Sequence, residues 1–166
     1  MPRKYHTATV FAGLDQAAVE NRMKLSEHFT LQEMTASEVA ERRGWDNTPN
    51  ADHTANLMRL AAFLERVRIV LGNRPISITS GYRCKLVNDS VGSKDTSQHR
   101  FGCAADIRVV GMTPRQVCEA IIKSKLEYDQ VILEFYSWTH ISIPLVEFKY
   151  RKEALIIDPS GTRLYS

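Results

Sequence analysis

The sequence predicts an α+β fold, a small and mainly antiparallel sheet flanked by helices. Three observations carry this expectation. Apolar residues recur with a helical period in some stretches and alternate in others. Successive strand-like runs are separated by turn chemistry rather than by crossovers of ~12 residues or more. With 166 residues, 43% hydrophobic and 25% charged, the chain has ordinary globular composition and length enough for one well-buried core.

Residues 1–24 read as an N-terminal arm and 25–166 as one domain. In the arm, Asp15 is placed to cap a short helix over Gln16–Met23. Thr30 and Glu33 have capping-box spacing, so a helix is expected from Leu31 towards Arg43, stopped by Gly44. Trp45–Asn50 has loop composition. The clearest helix covers about Ala51–Leu71: Leu57, Leu60, Ala61, Leu64, Val67 and Leu71 share one face, and Gly72 ends it. Pro75–Thr79 alternates like a strand. A second capped helix starts after Thr113, with Pro114 at its first position and Gln116 closing the box. Gln130–Leu133 and Thr139–Ile143 read as strands. If their turn centres on Ser137, Glu134 pairs with His140 and Phe135 with Thr139. Asp158–Gly161 is a turn between Ala154–Ile157 and Thr162–Tyr165, a terminal hairpin.

Composition excludes several classes. The formal charge of +3 is too mild for a nucleic-acid binder, although it suits an acidic polymer. No apolar run approaches the ~18 residues of a membrane span, so no stable membrane insertion is expected. Cys84, Cys103 and Cys118 form no CxxC pair and read as reduced, partly buried thiols. The basic start, Met1–His6, is followed by no apolar stretch, so no secretory signal is expected.

The chemistry concentrates in the second half. His99 and Asp106 lie seven apart around Gly102, Ala104 and Ala105, and His140 falls inside a later strand. Two imidazoles and a carboxylate suit Zn2+, whose catalytic sites use three protein ligands and leave a fourth position open. With Ala104–Val109 as a strand, Asp106 and Ala104 face a cleft while Ala105 and Ile107 enter the core. His140 and Ser142 share a face opposite Ile141 and Ile143. Gly102 lets the Ser97–Gly102 loop fold back over the site. Glu134, next to a metal ligand across the hairpin, can move a proton from water to a leaving amine. Arg83 can polarise a scissile carbonyl or hold a substrate carboxylate. His6, His28 and His53 have no partner spacing and are expected at the surface. Alternation points Cys103 away from Asp106.

Together these residues resemble a known family. Ser97–Asp106 fits S-x-H-x-x-G-x-A-x-D, the first metal motif of the zinc D-Ala-D-Ala carboxypeptidase and L-alanyl-D-glutamate peptidase family. Ser80-Gly81-Tyr82-Arg83 resembles its S-G-Y-R segment, and Trp138-Thr139-His140-Ile141-Ser142 its W-x-H-x-S segment. Leu31–Ser37 and Gly44–Asn47 look like the opening of short, phage-type members. The likeness covers about residues 25 to 150.

The resemblance implies a fold shared with the hedgehog signalling domain. It implies Zn2+ held by His99, Asp106 and His140, Glu134 as general base and acid, and Arg83 on the substrate carbonyl or carboxylate. Ser97, Tyr82 and Trp138, from the same three motifs, are expected to contact substrate. The implied partner is bacterial peptidoglycan, cut as an endolysin or virion-borne enzyme would cut it. The protein would be made in a host cytoplasm without a signal peptide and act on the wall. The arm, residues 1–24, would be free to dock phage structural proteins. One departure stands out: many members place the glutamate three before the last histidine, where this chain has Ser137. Glu134 stands six before His140, as in hedgehog domains, which bind rather than cleave. The alternative is therefore a non-catalytic, zinc-containing binding or structural module of a phage particle. Whether action is by carboxypeptidase or endopeptidase stays open; Arg83, Lys85 and Lys94 could each receive a terminal carboxylate.

Overall fold

The computed structural model describes residues 23–166. The expected arm helix over Gln16–Met23 lies outside them except for Met23. Thr30 caps as expected: its hydroxyl accepts the Glu33 N–H while the Glu33 carboxylate accepts its own N–H. The helix is nevertheless short (α1, Leu31–Thr35), and a second one follows (α2, Glu38–Arg43). The single helix expected over Leu31–Arg43 is thus two. The break is at Ala36, which turns extended, and at Ser37, whose hydroxyl accepts the Ala40 N–H. That side-chain bond offers the backbone a new start in place of continuation.

The long helix (α3, Ala51–Val70) begins at Asn50, whose side chain accepts from His53 N, and buries Leu57, Leu60, Ala61, Phe63, Leu64 and Val67. Strand β1 (Ile76–Ser80) follows, then a short helix (α4, Lys85–Ser90), a single 3-10 turn (Gln98–Phe101) and β2 (Ala104–Val109). Helix α5 (Pro114–Lys123) carries the full Thr113–Gln116 capping box and buries Val117, Cys118 and Ile121. Strands β3 (Gln130–Glu134), β4 (Trp138–Ser142), β5 (Glu153–Asp158) and β6 (Gly161–Leu164) complete the sheet, the last two as the expected hairpin.

The strands lie in the order β1-β2-β4-β3-β5-β6, antiparallel throughout except for β3 beside β5. One face of the sheet presents Ile107, Val131, Leu133 and Ile141, which join the buried faces of α3 and α5 in one core. Each such side chain contributes about 1.5–3 kcal/mol on burial. The opposite face carries polar residues at the centre of the sheet, with Asp106 opposite His140 and His140 opposite Ile132.

Two features of register place the polar face. A bulge between Ile78 and Ser80 sets Ile78 opposite Ile107 but Ser80 opposite Asp106. Without the extra residue Ser80 would stay on the core face with Ile78; the bulge re-aims it. The β3–β4 hairpin also differs from expectation. Glu134 pairs with Trp138 and Leu133 with Thr139, so the turn centres on Tyr136, and the expected Glu134–His140 and Phe135–Thr139 pairs do not form. Phe135 (φ 49°) and Tyr136 (φ 55°) make the tight turn, closed by Ser137 N–H donating to Glu134 O at 2.9 Å. The slip is by two residues and side chains repeat every two, so Glu134 and His140 keep the same face.

Candidate active site

His99, Asp106 and His140 come from three places in the chain and meet on the polar face. Asp106 and His140 are cross-strand neighbours. His99 arrives on the 3-10 turn, which ends at Gly102 in the left-handed region (φ 72°). A Cβ there would stand 2.6 Å from His53 O, so the turn packs against α3 only with glycine.

The three donor atoms form a small triangle. His99 Nε2 is 3.2 Å from His140 Nδ1 and 3.3 Å from Asp106 Oδ1, and His140 Nδ1 is 3.1 Å from that same oxygen. Ligands held at ~2.0–2.1 Å by a tetrahedral zinc stand about 3.3 Å apart, so the triangle has the right edges. Protonation agrees. His99 Nδ1 is 2.7 Å from Gly81 O, a pure acceptor, so Nδ1 carries the proton and Nε2 turns a lone pair towards the carboxylate. A lone pair facing an anion calls for a cation between them, and the carbonyl behind the ring fixes the tautomer a metal needs. Thus the residues present fit Zn2+. Gly81 itself lies so close to α1 that a Cβ would fall 2.2 Å from Met34 O.

All three side chains are buried. Burial lowers the His99 pKa, favouring the neutral ligand form. Burial opposes ionisation of Asp106 too, but His99 and His140 outweigh it and hold its carboxyl well below the usual range. Glu134 Oε1 lies 3.9 Å from His140 Nδ1. Burial, and then the charge of Asp106, raise the Glu134 pKa, with His140 and Arg83 working against them. Such a carboxylate is a better proton acceptor than an ordinary surface glutamate.

Arg83 also reaches the cluster. Its Nη2 donates to Asp106 Oδ2 at 2.9 Å and its Nε to Ser80 Oγ at 3.0 Å, the hydroxyl that the bulge brought round. Trp138 stands opposite Glu134, with its indole N–H buried. Ser97 sits at the start of the 3-10 turn and makes no capping bond. Tyr82 is buried, with its hydroxyl 3.3 Å from His53 Nδ1, so His53 is half-buried against Tyr82 and Phe101 rather than a surface residue. His28 is at the surface, paired with Glu65; His6 lies outside the described residues. Cys103 and Cys118 are free, buried thiols pushed up to about 11 by burial, and Cys84 is free and half-buried; none joins the metal cluster.

Sequence reasoning missed the support behind the 3-10 turn. Gln98 donates to Asp129 Oδ2 and to Ile143 O, both at 2.8 Å, and Arg151 Nε bridges both Asp129 oxygens. Asp129 precedes a strand and carries no motif. Only its burial beside an arginine distant in sequence marks it.

Two histidines and an aspartate that could hold one metal ion, with a carboxylate beside them, are a donor set that metal-dependent hydrolases use. Among these, the chain belongs to the Peptidase M15 family, whose profile matches residues 27–142. No curated protein matches the chain. No helix among the described residues is long and apolar enough to cross a membrane.

Proposed function

We propose that this protein is a Zn2+-dependent peptidase that hydrolyses amide bonds in peptidoglycan stem peptides. The observation that carries the reading is the triangle of His99, Asp106 and His140, its edges 3.1–3.3 Å, with Glu134 on the same face. His99, Asp106 and His140 would hold the ion, which supplies Lewis acidity towards the scissile carbonyl. Glu134 takes a proton from the attacking water at its carboxylate and delivers it to the leaving nitrogen. Water oxygen bonds the carbonyl carbon, the C–N bond breaks and the amine departs neutral. Arg83, held in place by Asp106 and Ser80, turns its remaining N–H groups to the substrate carbonyl oxygen or a terminal carboxylate. The peptidoglycan and phage setting is supported by the likeness of Leu31–Ser37 and Gly44–Asn47 to short phage-type members.

A second reading, a zinc-containing binding or structural module, is favoured by Ser137 in place of the glutamate three before His140. New amines released from purified peptidoglycan separate the two. Zinc-loaded protein should release them, while chelated protein and Glu134→Ala should not. Stoichiometric zinc with no release from any of several wall types would overturn the peptidase reading.

A further inference from the structure

The hairpin that carries Glu134 is built in an expensive way. Both Phe135 and Tyr136 have φ near +50°, the sign that Asn-Gly supplies at little cost and that bulky side chains avoid. The surroundings hold this conformation from several sides. Phe135 N–H donates to Ile157 O at 2.8 Å. The Tyr136 hydroxyl accepts from Arg163 Nη2 at 3.1 Å, and the Arg115 guanidinium lies 5.4 Å from its ring centre. Tyr136 is therefore the clamp. Both rings are about half-exposed, Phe135 46% and Tyr136 48%, but the two arginines engage Tyr136, whereas Phe135 lies beside Trp138 with ring centres 5.9 Å apart. Trp138 shares the sheet face of Glu134, so this aromatic pair borders the catalytic face. A strained turn that ends in an exposed ring beside a reactive acid is a device for contact, since packing alone gains little from a half-exposed side chain.

We infer that Phe135, with Trp138, forms a stacking subsite for a sugar ring of the glycan strand next to the scissile peptide. This rests on the peptidoglycan reading above. Stem peptides offer small or charged side chains, whereas the pyranose rings of the glycan offer flat C–H faces of the size an indole or phenyl ring covers. The subsite would place Glu134 close to the sugar end of the stem rather than at its free tip.

The test uses the full chain and the double variant F135N/Y136G, with F135A beside it. Binding of an N-acetylglucosamine tetramer is followed by NMR titration. That probe holds no peptide bond and needs no metal, so the result is independent of whether the protein cleaves. Wild type should bind it, and both variants should lose roughly 10-fold or more in affinity. F135A separates the ring's contribution from any effect of rebuilding the turn. No tetramer binding by wild type, or equal binding by F135A, would overturn the inference. So would variants that keep tetramer affinity but lose affinity for a sugar-free stem peptide, which would assign the aromatic pair to peptide. Absence of amine release with the tetramer result intact would instead count against the peptidase reading alone.

Discussion

Asp129 is 2% exposed and accepts bonds from Gln98, Arg151 and the Arg151 backbone N–H. Burial alone would raise its pKa, but these donors more than compensate and lower it. The folded state therefore favours the ionised form. Its contribution is complete above the ordinary carboxylate value of ~3.9 and is lost as pH falls through the lower folded value. Asp129→Asn should cost about 1–3 kcal/mol at pH 7, because Arg151 is half-exposed and can find water. Urea melts should show the gap between wild type and variant unchanged from pH 7 to 5 and shrinking below about pH 4. A gap independent of pH would remove Asp129 as an ionised partner. At the reacting centre, Glu134→Gln should abolish amine release yet leave zinc stoichiometry unchanged, read by metal analysis after dialysis. Loss of zinc in that variant would make Glu134 a ligand rather than a proton carrier. The cluster of His99, Asp106, His140 and Glu134 was legible in the chain, because imidazole and carboxylate chemistry is carried by residue type. Asp129 was not, because an isolated aspartate becomes a buried ion pair only when a distant arginine is folded onto it.

Local signals and tertiary demands meet at the level of elements. The capping boxes at Thr30 and Thr113 formed as read, since each depends on residues three apart. Thr113→Ala should lower stability by about 1 kcal/mol in a thermal melt and leave the site untouched. Gly81 belongs to both levels. It fits between β1 and α1, where a Cβ would meet Met34 O at 2.2 Å, and its carbonyl takes the His99 proton. Gly81→Ala should therefore destabilise by about 1–3 kcal/mol. It should also weaken zinc binding 10–100-fold, measured by competition with a chelator, through the loosened His99 ring. Unchanged zinc affinity in a folded Gly81→Ala protein would disconnect that carbonyl from the metal. The β1 bulge and the two-residue slip of the β3–β4 hairpin were not legible. Both satisfy packing: Ile78 reaches the core while Ser80 reaches Arg83, and Phe135 and Tyr136 accept left-handed backbone to close the turn.

For the whole molecule, His99, Asp106 and His140 come from the 3-10 turn and strands β2 and β4, so an ion bound by all three would cross-link the folded state alone. Zinc should raise the melting temperature, and at 1,000 times its dissociation constant the gain is about 4 kcal/mol. A chelator should reverse it, and Asp106→Asn should blunt it; a wild-type melt indifferent to zinc would refute the site. The fold class, most elements and the candidate ligand set His99, Asp106 and His140 were legible in the sequence, because periodicity, caps and side-chain chemistry are local properties. Only the tertiary structure decided the 3.1–3.3 Å spacing of those ligands, the tether of His99 to Gly81 and the draw of Arg83 onto Asp106. Those depend on how three separate segments pack against one core, and no spacing along the chain encodes a distance between segments that meet only after folding.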